Sequence, residues 1–284
     1  MAESTKPNAR TFLITGVSTG LGRAFAEGAL AAGHRVIGTL RKEEEVAQFA
    51  ALAPGRSFGR LFDVTDTAAA APFVHQLESE VGAIDVLVNN AGYGHEGTVE
   101  ESPLDELRKQ LEVNFFGAVA LIKAVLPHMR LRRAGHIVNI TSMGGMITMP
   151  GISYYHASKF ALEGLSESLG KELAGFGIHV TAVEPGGFRT DWAGRSMVRV
   201  ERTIADYDEV FAPLRERRLG YSGKQKGDPT RAAQALLALV AMDKPPAHLL
   251  LGTDALRLVS EKLDALRSEI EAYRELTLST DFPD

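Results

Sequence analysis

The chain has 284 residues, 45% of them hydrophobic and 24% charged, which excludes a disordered or fibrous protein. Its formal charge of −5, with no basic run longer than Arg130-Leu131-Arg132-Arg133, argues against nucleic acid as a main partner. There is no cysteine, the first ten residues lack the apolar core of a signal peptide, and no apolar run approaches the roughly 18 residues that cross a bilayer; disulfides and a membrane partner are not expected, and a cytoplasmic location is.

The first element is the apolar, β-branched run Thr11–Thr15, read as a buried strand. It runs into Gly16-Val17-Ser18-Thr19-Gly20-Leu21-Gly22 and then the helix former Leu21–Ala32. Strand, glycine turn and helix form the context in which backbone approaches a dinucleotide pyrophosphate at a helix N-terminus. Strands follow at Arg35–Thr39, Ser57–Phe62, Ile84–Val88, His136–Thr141, Ile178–Val183 and His248–Leu251. Helical patterns lie between them at Glu43–Leu52, Thr67–Val81, Pro103–Arg133, Tyr154–Phe176 and Thr230–Met242, with a last one at Asp254–Leu276. This alternation predicts an α/β fold, a Rossmann-like doubly wound sheet of about seven parallel strands with helices on both faces. One domain is expected over 1–284. Pro127 should kink or end its helix, and Ser153 could cap the helix after it. Gly186–Asp228 shows no clear helix–strand pattern, contains five further glycines among charges and bulky apolar side chains, and is expected to act as a substrate loop or lid.

Tyr155 and Lys159 stand four residues apart, on one face if the segment is helical, with Ser142 thirteen residues upstream. A cation beside a phenol favours its ionised form and suits it to proton transfer. Tyr154 has Ser158 as its corresponding partner and should be structural or substrate-lining. Thr141 and Ser142 are both hydroxyls at the end of one strand, and side-chain alternation lets only one face the site. His128, His136, His156 and His179 lack ligand spacing, so no metal is expected.

Together, Thr15-Gly16-x-x-x-Gly20-x-Gly22, Asp63-Val64, Asn89-Asn90-Ala91-Gly92, Val113-Asn114, Ser142, Tyr155-x-x-x-Lys159 and Pro185-Gly186 resemble the short-chain dehydrogenase/reductase pattern over roughly residues 10–190. The resemblance implies an oxidoreductase interconverting a ketone or aldehyde and an alcohol by hydride transfer, with Tyr155 as general acid/base, Lys159 lowering its pKa, Ser142 on the substrate oxygen and Asn114 holding a water next to Lys159. It implies cofactor contacts from Gly16, Ser18, Thr19, Gly20, Leu21, Gly22, Asp63, Val64, Asn90, Ala91, Gly92, Tyr155, Lys159, Pro185, Gly186 and Thr190. Where NAD-binding relatives carry an acid this chain has Leu40, followed by Arg41, whose guanidinium can hold a phosphate; NADP(H) is therefore favoured and NAD(H) remains open, the more so because Thr19 stands where some NADP-dependent relatives have a basic residue. Arg41-Lys42 also reads as a helix-start pair beside Glu43-Glu44-Glu45. A small-molecule carbonyl or alcohol substrate is expected. Met143, Met146, Met149, Ile152, Trp192, Met197 and Phe211 lean toward a lipophilic one, although methionines fill ordinary cores equally well. Helices Pro103–Arg133 and Tyr154–Phe176 imply a homodimer or homotetramer, with Leu107, Leu111, Phe115, Leu121, Ala161, Leu165 and Leu169 as the apolar positions. Two other readings stay open: a non-catalytic cofactor-binding sensor, and an isomerase or dehydratase using the same Tyr–Lys pair.

Overall fold

The computed structural model describes residues 9–282. Its elements in chain order are β1 (Thr11–Ile14), α1 (Gly20–Ala31), β2 (Arg35–Leu40), α2 (Glu43–Ala50), β3 (Ser57–Leu61), α3 (Ala70–Glu80), β4 (Val86–Asn89), β5 (Gly94–Glu96), α4 (Leu104–Leu111), α5 (Gly117–Arg132), β6 (Gly135–Ile140), α6 (Ser153–Leu173), β7 (Ile178–Pro185), β8 (Met197–Arg199), α7 (Asp208–Tyr221), α8 (Pro229–Val240), β9 (His248–Leu251), α9 (Thr253–Ala272) and α10 (Arg274–Leu278). Seven strands form one parallel sheet in the order β3-β2-β1-β4-β6-β7-β9; β5 and β8 make a small second sheet. The order reverses between β1 and β4, so a crevice opens there at the carboxyl ends of the strands.

The strands read as continuous apolar runs because both faces of the sheet are covered. Successive side chains go to opposite sides: Phe12 and Ile14 join the core under α1 and α8, whereas Leu13 joins the core under α3, α5 and α6. The α1–α8 contact is close, since a Cβ on Gly28 would lie 2.8 Å from that of Ala233.

Several sequence expectations change. The helix over Pro103–Arg133 is three pieces: α4, a π turn over Glu112–Phe116, and α5. Pro127 does not end α5, which runs five residues further. The whole stretch Leu104–Arg132 is long and apolar enough to cross a membrane by length and composition. Here it packs instead, with Leu121, Ile122, Val125 and Met129 in the core. Ser153 begins α6 but makes no capping hydrogen bond, Ile152 being the cap position. The stretch 186–228 is not patternless: it contains β8 and the 14-residue helix α7. Its strong charge and the low amphipathicity of α7, which buries no residue fully, hid the helix from periodicity.

Candidate active site

The glycine turn between β1 and α1 is built by backbone contact. Gly16 and Gly20 have φ of +71° and +63°, a region that costs side-chain-bearing residues about 1 kcal/mol or more. A Cβ on Gly22 would fall 2.3 Å from Asn90 Nδ2 and 2.3 Å from the Gly16 carbonyl. Asn90 explains the closeness: its Nδ2 donates to the carbonyls of Thr15 (2.8 Å) and Gly16 (3.2 Å). In return, Thr15 Oγ1 accepts from the backbone N–H groups of Asn90 and Ala91, both at 2.9 Å. The two loops at the switch point are thus laced together. Thr19, at the N-cap of α1, makes no capping hydrogen bond, and the first turn contains no acid. The orphan N–H groups and the positive dipole end of α1 fit a phosphate. Thr190 comes back over this turn, with Cβ 3.7 Å from where a Cβ on Gly20 would be; Ser18 and Leu21 belong to the same turn.

The proton-transfer residues converge at the carboxyl end of β6. Lys159 is one turn beyond Tyr155 on α6, buried, with Nζ 5.8 Å from the centroid of the Tyr155 ring and donating to the Ile140 carbonyl at 2.9 Å. Thr141 turns inward and donates to Val183 O (2.9 Å), which leaves Ser142 to face Tyr155. Asn114, in the π turn, accepts from Tyr93 N–H (3.1 Å) and donates to Tyr93 O (3.0 Å) and Ser158 Oγ (3.1 Å). A π turn inserts one residue and is frequent at functional sites. A Cβ on Gly92 would sit 3.1 Å from Asn114 Oδ1 and 3.7 Å from Lys159 Nζ, so Gly92 borders the same group.

The electrostatics correct one expectation, that Lys159 lowers the Tyr155 pKa. Burial instead pushes the Tyr155 phenol up to about 12, opposed only by its hydrogen bond with Ser142. Burial also brings Lys159 down to about 8, against the pull of Glu163. The resting phenol is therefore neutral at pH 7, the form that donates a proton.

At the far end of the crevice, a cleft of about 520 Å³ opens beside β2 and β3, lined by Arg41, Phe62, Asp63, Asp66 and Phe73 among others. Leu40 is buried and Arg41 is exposed. Asp63 Oδ1 accepts from the N–H (2.9 Å) and hydroxyl (2.8 Å) of Thr65, so it shapes the turn after β3. Val64 is buried under Gly117.

Pro185 is the last residue of β7, two residues beyond the expected strand end. Gly186 and Gly187 are held by Asp254, a residue that sequence reasoning passed over. Its Oδ2 accepts from Gly187 N–H at 2.7 Å, and a Cβ on Gly186 would meet its Oδ1 at 2.3 Å. The chain then passes over the catalytic group: the Trp192 ring lies 5.1 Å from that of Tyr155. Beyond Trp192, buried Glu96 anchors β8 and α7, pairing with Arg215 (2.7 Å), Arg218 (3.4 Å) and Arg199 (3.7 Å). Glu101 accepts from the N–H groups of Thr203 and Ile204, which hold its carboxyl down at about 2.

Three other neighbours of the site, His156, Glu163 and Glu184, carry no clear sequence signal of their role. His156 accepts from Met149 N–H at Nε2 (2.8 Å), so Nδ1 carries the proton and donates to Gly144 O (2.7 Å); this fixes the loop after Ser142. Glu163 and Glu184 are buried beside His248 Nδ1, which lies 2.7 Å from Glu184 and 3.5 Å from Glu163. Burial raises both carboxyls, Glu163 to about 7. The nearest thing to a signal is Glu163 at i+4 from Lys159, one more turn along the same face. Tyr154 behaves as a structural residue, donating to Ser102 O at 2.9 Å and stacking on His95.

Comparison with known proteins gives a consistent picture. Residues 10–199 match the family model described as short chain dehydrogenase. The chain is 38% identical to the oxidoreductase BOA17 of Botryotinia fuckeliana over 95% of this chain and 99% of that one. It is likewise 38% identical to the 3-ketodihydrosphingosine reductase of Bacteroides thetaiotaomicron over 84% of this chain and 87% of that one. Among solved structures, a short-chain dehydrogenase from Streptomyces avermitilis superposes with a TM-score of 0.90 at 41% identity, covering 99% of this chain and 100% of that chain.

Proposed function

Because this chain belongs to the short-chain dehydrogenase family and is an oxidoreductase acting on CH–OH or C=O groups, we propose that it reduces a lipophilic ketone with NADP(H), using Tyr155 as the general acid. The observation that carries this reading is the convergence of Ser142, Tyr155 and Lys159, with Asn114 behind them, at the switch-point edge of the sheet. The bound nicotinamide supplies the hydride. Ser142 orients the substrate oxygen. Tyr155, neutral at rest, gives its proton to that oxygen as negative charge develops there. The phenolate left behind lies one turn from Lys159 on α6, and Lys159 would hold the nicotinamide ribose. In the oxidising direction the same phenolate removes the alcohol proton.

Gly16, Gly20 and Gly22 with the uncapped α1 would hold the pyrophosphate. Asn90, Ala91 and Gly92 would lie along the ribose, Asp63 and Val64 beside the adenine, and Pro185, Gly186 and Thr190 at the nicotinamide end. NADP(H) is preferred over NAD(H) because Leu40 places no carboxylate near a 2′-phosphate and Arg41 offers it a guanidinium. Leu40→Asp should then weaken NADPH and improve NADH. Equal wild-type efficiency with both cofactors would remove this preference. A lipophilic substrate is supported by Trp192 over Tyr155 and by the half-buried Met143, Met146 and Met149 in the stretch that follows Ser142. The named ketone reductase among the relatives points the same way.

Tyr155→Phe should lose a factor of about 10²–10⁴ in turnover while still binding NADPH. Retention of more than about a tenth of the rate would sink the assignment. Net NADPH oxidation with a ketone separates this reading from an isomerase using the same pair. The segment around Trp192 is proposed to close over substrate, so NADP(H) with a substrate analogue should slow its amide exchange. Assembly into a dimer or tetramer through α4, α5 and α6 is part of the proposal. Leu121 and Leu169 lie in the core and cannot serve it, whereas Phe116, in the π turn between α4 and α5, and Phe160, on α6, are exposed.

A further inference from the structure

The helix α9 begins on the body of the protein and then leaves it. Ala255 and Val259 are buried, and every residue from Ser260 to the end of the helix is exposed. A protruding helix of about twelve residues is marginal in water by itself, so its stability calls for a partner. Its apolar side chains recur with alternating spacings of four, three and four: Val259, Leu263, Leu266 and Ile270, with Tyr273 three residues on. That is the seam of a two-stranded coiled coil. It continues the stripe that Ala255 and Val259 already bury, and Leu263, Leu266 and Ile270 lie open on it.

The charges beside the seam select the occupant. Arg257 pairs with Glu261 and Arg274 with Glu271, within the chain. Lys262 and Glu269, which flank the seam one heptad apart, have no ion-pair partner among the described residues. We propose that α9 pairs antiparallel, about a two-fold axis, with α9 of a second copy of this chain. In that arrangement Leu263 packs on Leu266 of the second copy and Leu266 on Leu263. Lys262 meets Glu269 of the second copy, and the symmetry supplies this pair twice. A parallel pair would instead set Lys262 against Arg267. A lipid surface fits less well, because α9 carries Asp254, Glu261, Asp264, Glu269 and Glu271, whereas membrane-lying helices favour lysine and arginine on their polar face. This contact is separate from any pairing of α4, α5 and α6 and does not depend on the proposed reaction.

The chain has no cysteine, which makes the register directly testable. Leu263→Cys and Leu266→Cys are exposed changes; each purified variant is first checked for an unchanged melting temperature. Mixed under mild oxidation, the two should form a mixed disulfide dimer in much greater yield than either forms alone. Efficient coupling of Leu263→Cys with itself would show a parallel pair and overturn the proposal. So would absence of any coupling. In sedimentation, Lys262→Glu and Glu269→Lys should each weaken assembly about tenfold, and the double exchange should restore it. Unchanged assembly in both single variants would also overturn it, as would uncoupled wild-type protein that instead co-sediments with phosphatidylcholine–phosphatidylglycerol vesicles.

Discussion

The glycine-turn region and the segment from Trp192 to Tyr221 both border the same crevice, but they are held by different forces. The first is fixed by backbone approach: Gly22 leaves no room for a Cβ, and Asn90-Ala91 donates four hydrogen bonds to Thr15-Gly16 across the switch point. The second is fixed by charge. One buried carboxylate, Glu96, gathers three arginines, and another, Glu101, holds Arg202 at 3.0 Å together with the backbone of Thr203 and Ile204. Backbone lacing has essentially one geometry, which suits a group that must receive an invariant cofactor. Ion pairs to long side chains tolerate rearrangement, which suits the opening and closing proposed for this segment.

The largest expected effect breaks the charged region alone. Glu96→Gln leaves Arg199, Arg215 and Arg218 without their shared carboxylate. Removing one partner of such a buried pair costs about 3–5 kcal/mol. The loss should appear as faster amide exchange across α7 while exchange in β1 and β4 is unchanged; uniform acceleration would show that the two regions are not independent.

A change of comparable size lies on the catalytic helix α6 itself. The Glu163 carboxyl is raised from 4.5 to about 7 by burial. Its contribution to stability is therefore fully present below pH about 4.5 and is lost as pH rises to about 7, at most about 3 kcal/mol. Glu163→Gln should flatten the melting temperature over that interval. An unaltered pH profile in the variant would show that Glu163 titrates normally.

Gly22→Ala attacks the laced region. Forcing a methyl against Asn90 and the Gly16 carbonyl should cost about 1–3 kcal/mol and weaken cofactor binding, with α7 exchange unaffected. Cofactor titration and calorimetry check it. The smallest effect belongs to Tyr154→Phe, which removes the hydrogen bond to Ser102 O. About 1 kcal/mol of stability should go, with turnover within a few fold of wild type. A loss of activity like that of Tyr155→Phe would mean that the two tyrosines had been assigned the wrong way round.

What could be read from the sequence was local. The alternation of strand and helix, the glycine turn and the Tyr155–Lys159 spacing each depend on residues within about one helical turn or one strand of one another, so periodicity and backbone sterics determine them. Tertiary structure decided the rest. Glu96 and Arg215 are 119 residues apart, and Gly187 and Asp254 are 67 apart; no local pattern announces such pairs. The helix α7 escaped detection because it lies across charged partners rather than on a core and so shows no apolar stripe. The π turn at Asn114 required packing against Tyr93 and Ser158. Burial, a property only of the folded chain, turned the expected low-pKa tyrosine into a high one, because removing water from a phenol disfavours its anion more than the Ser142 hydrogen bond supports it.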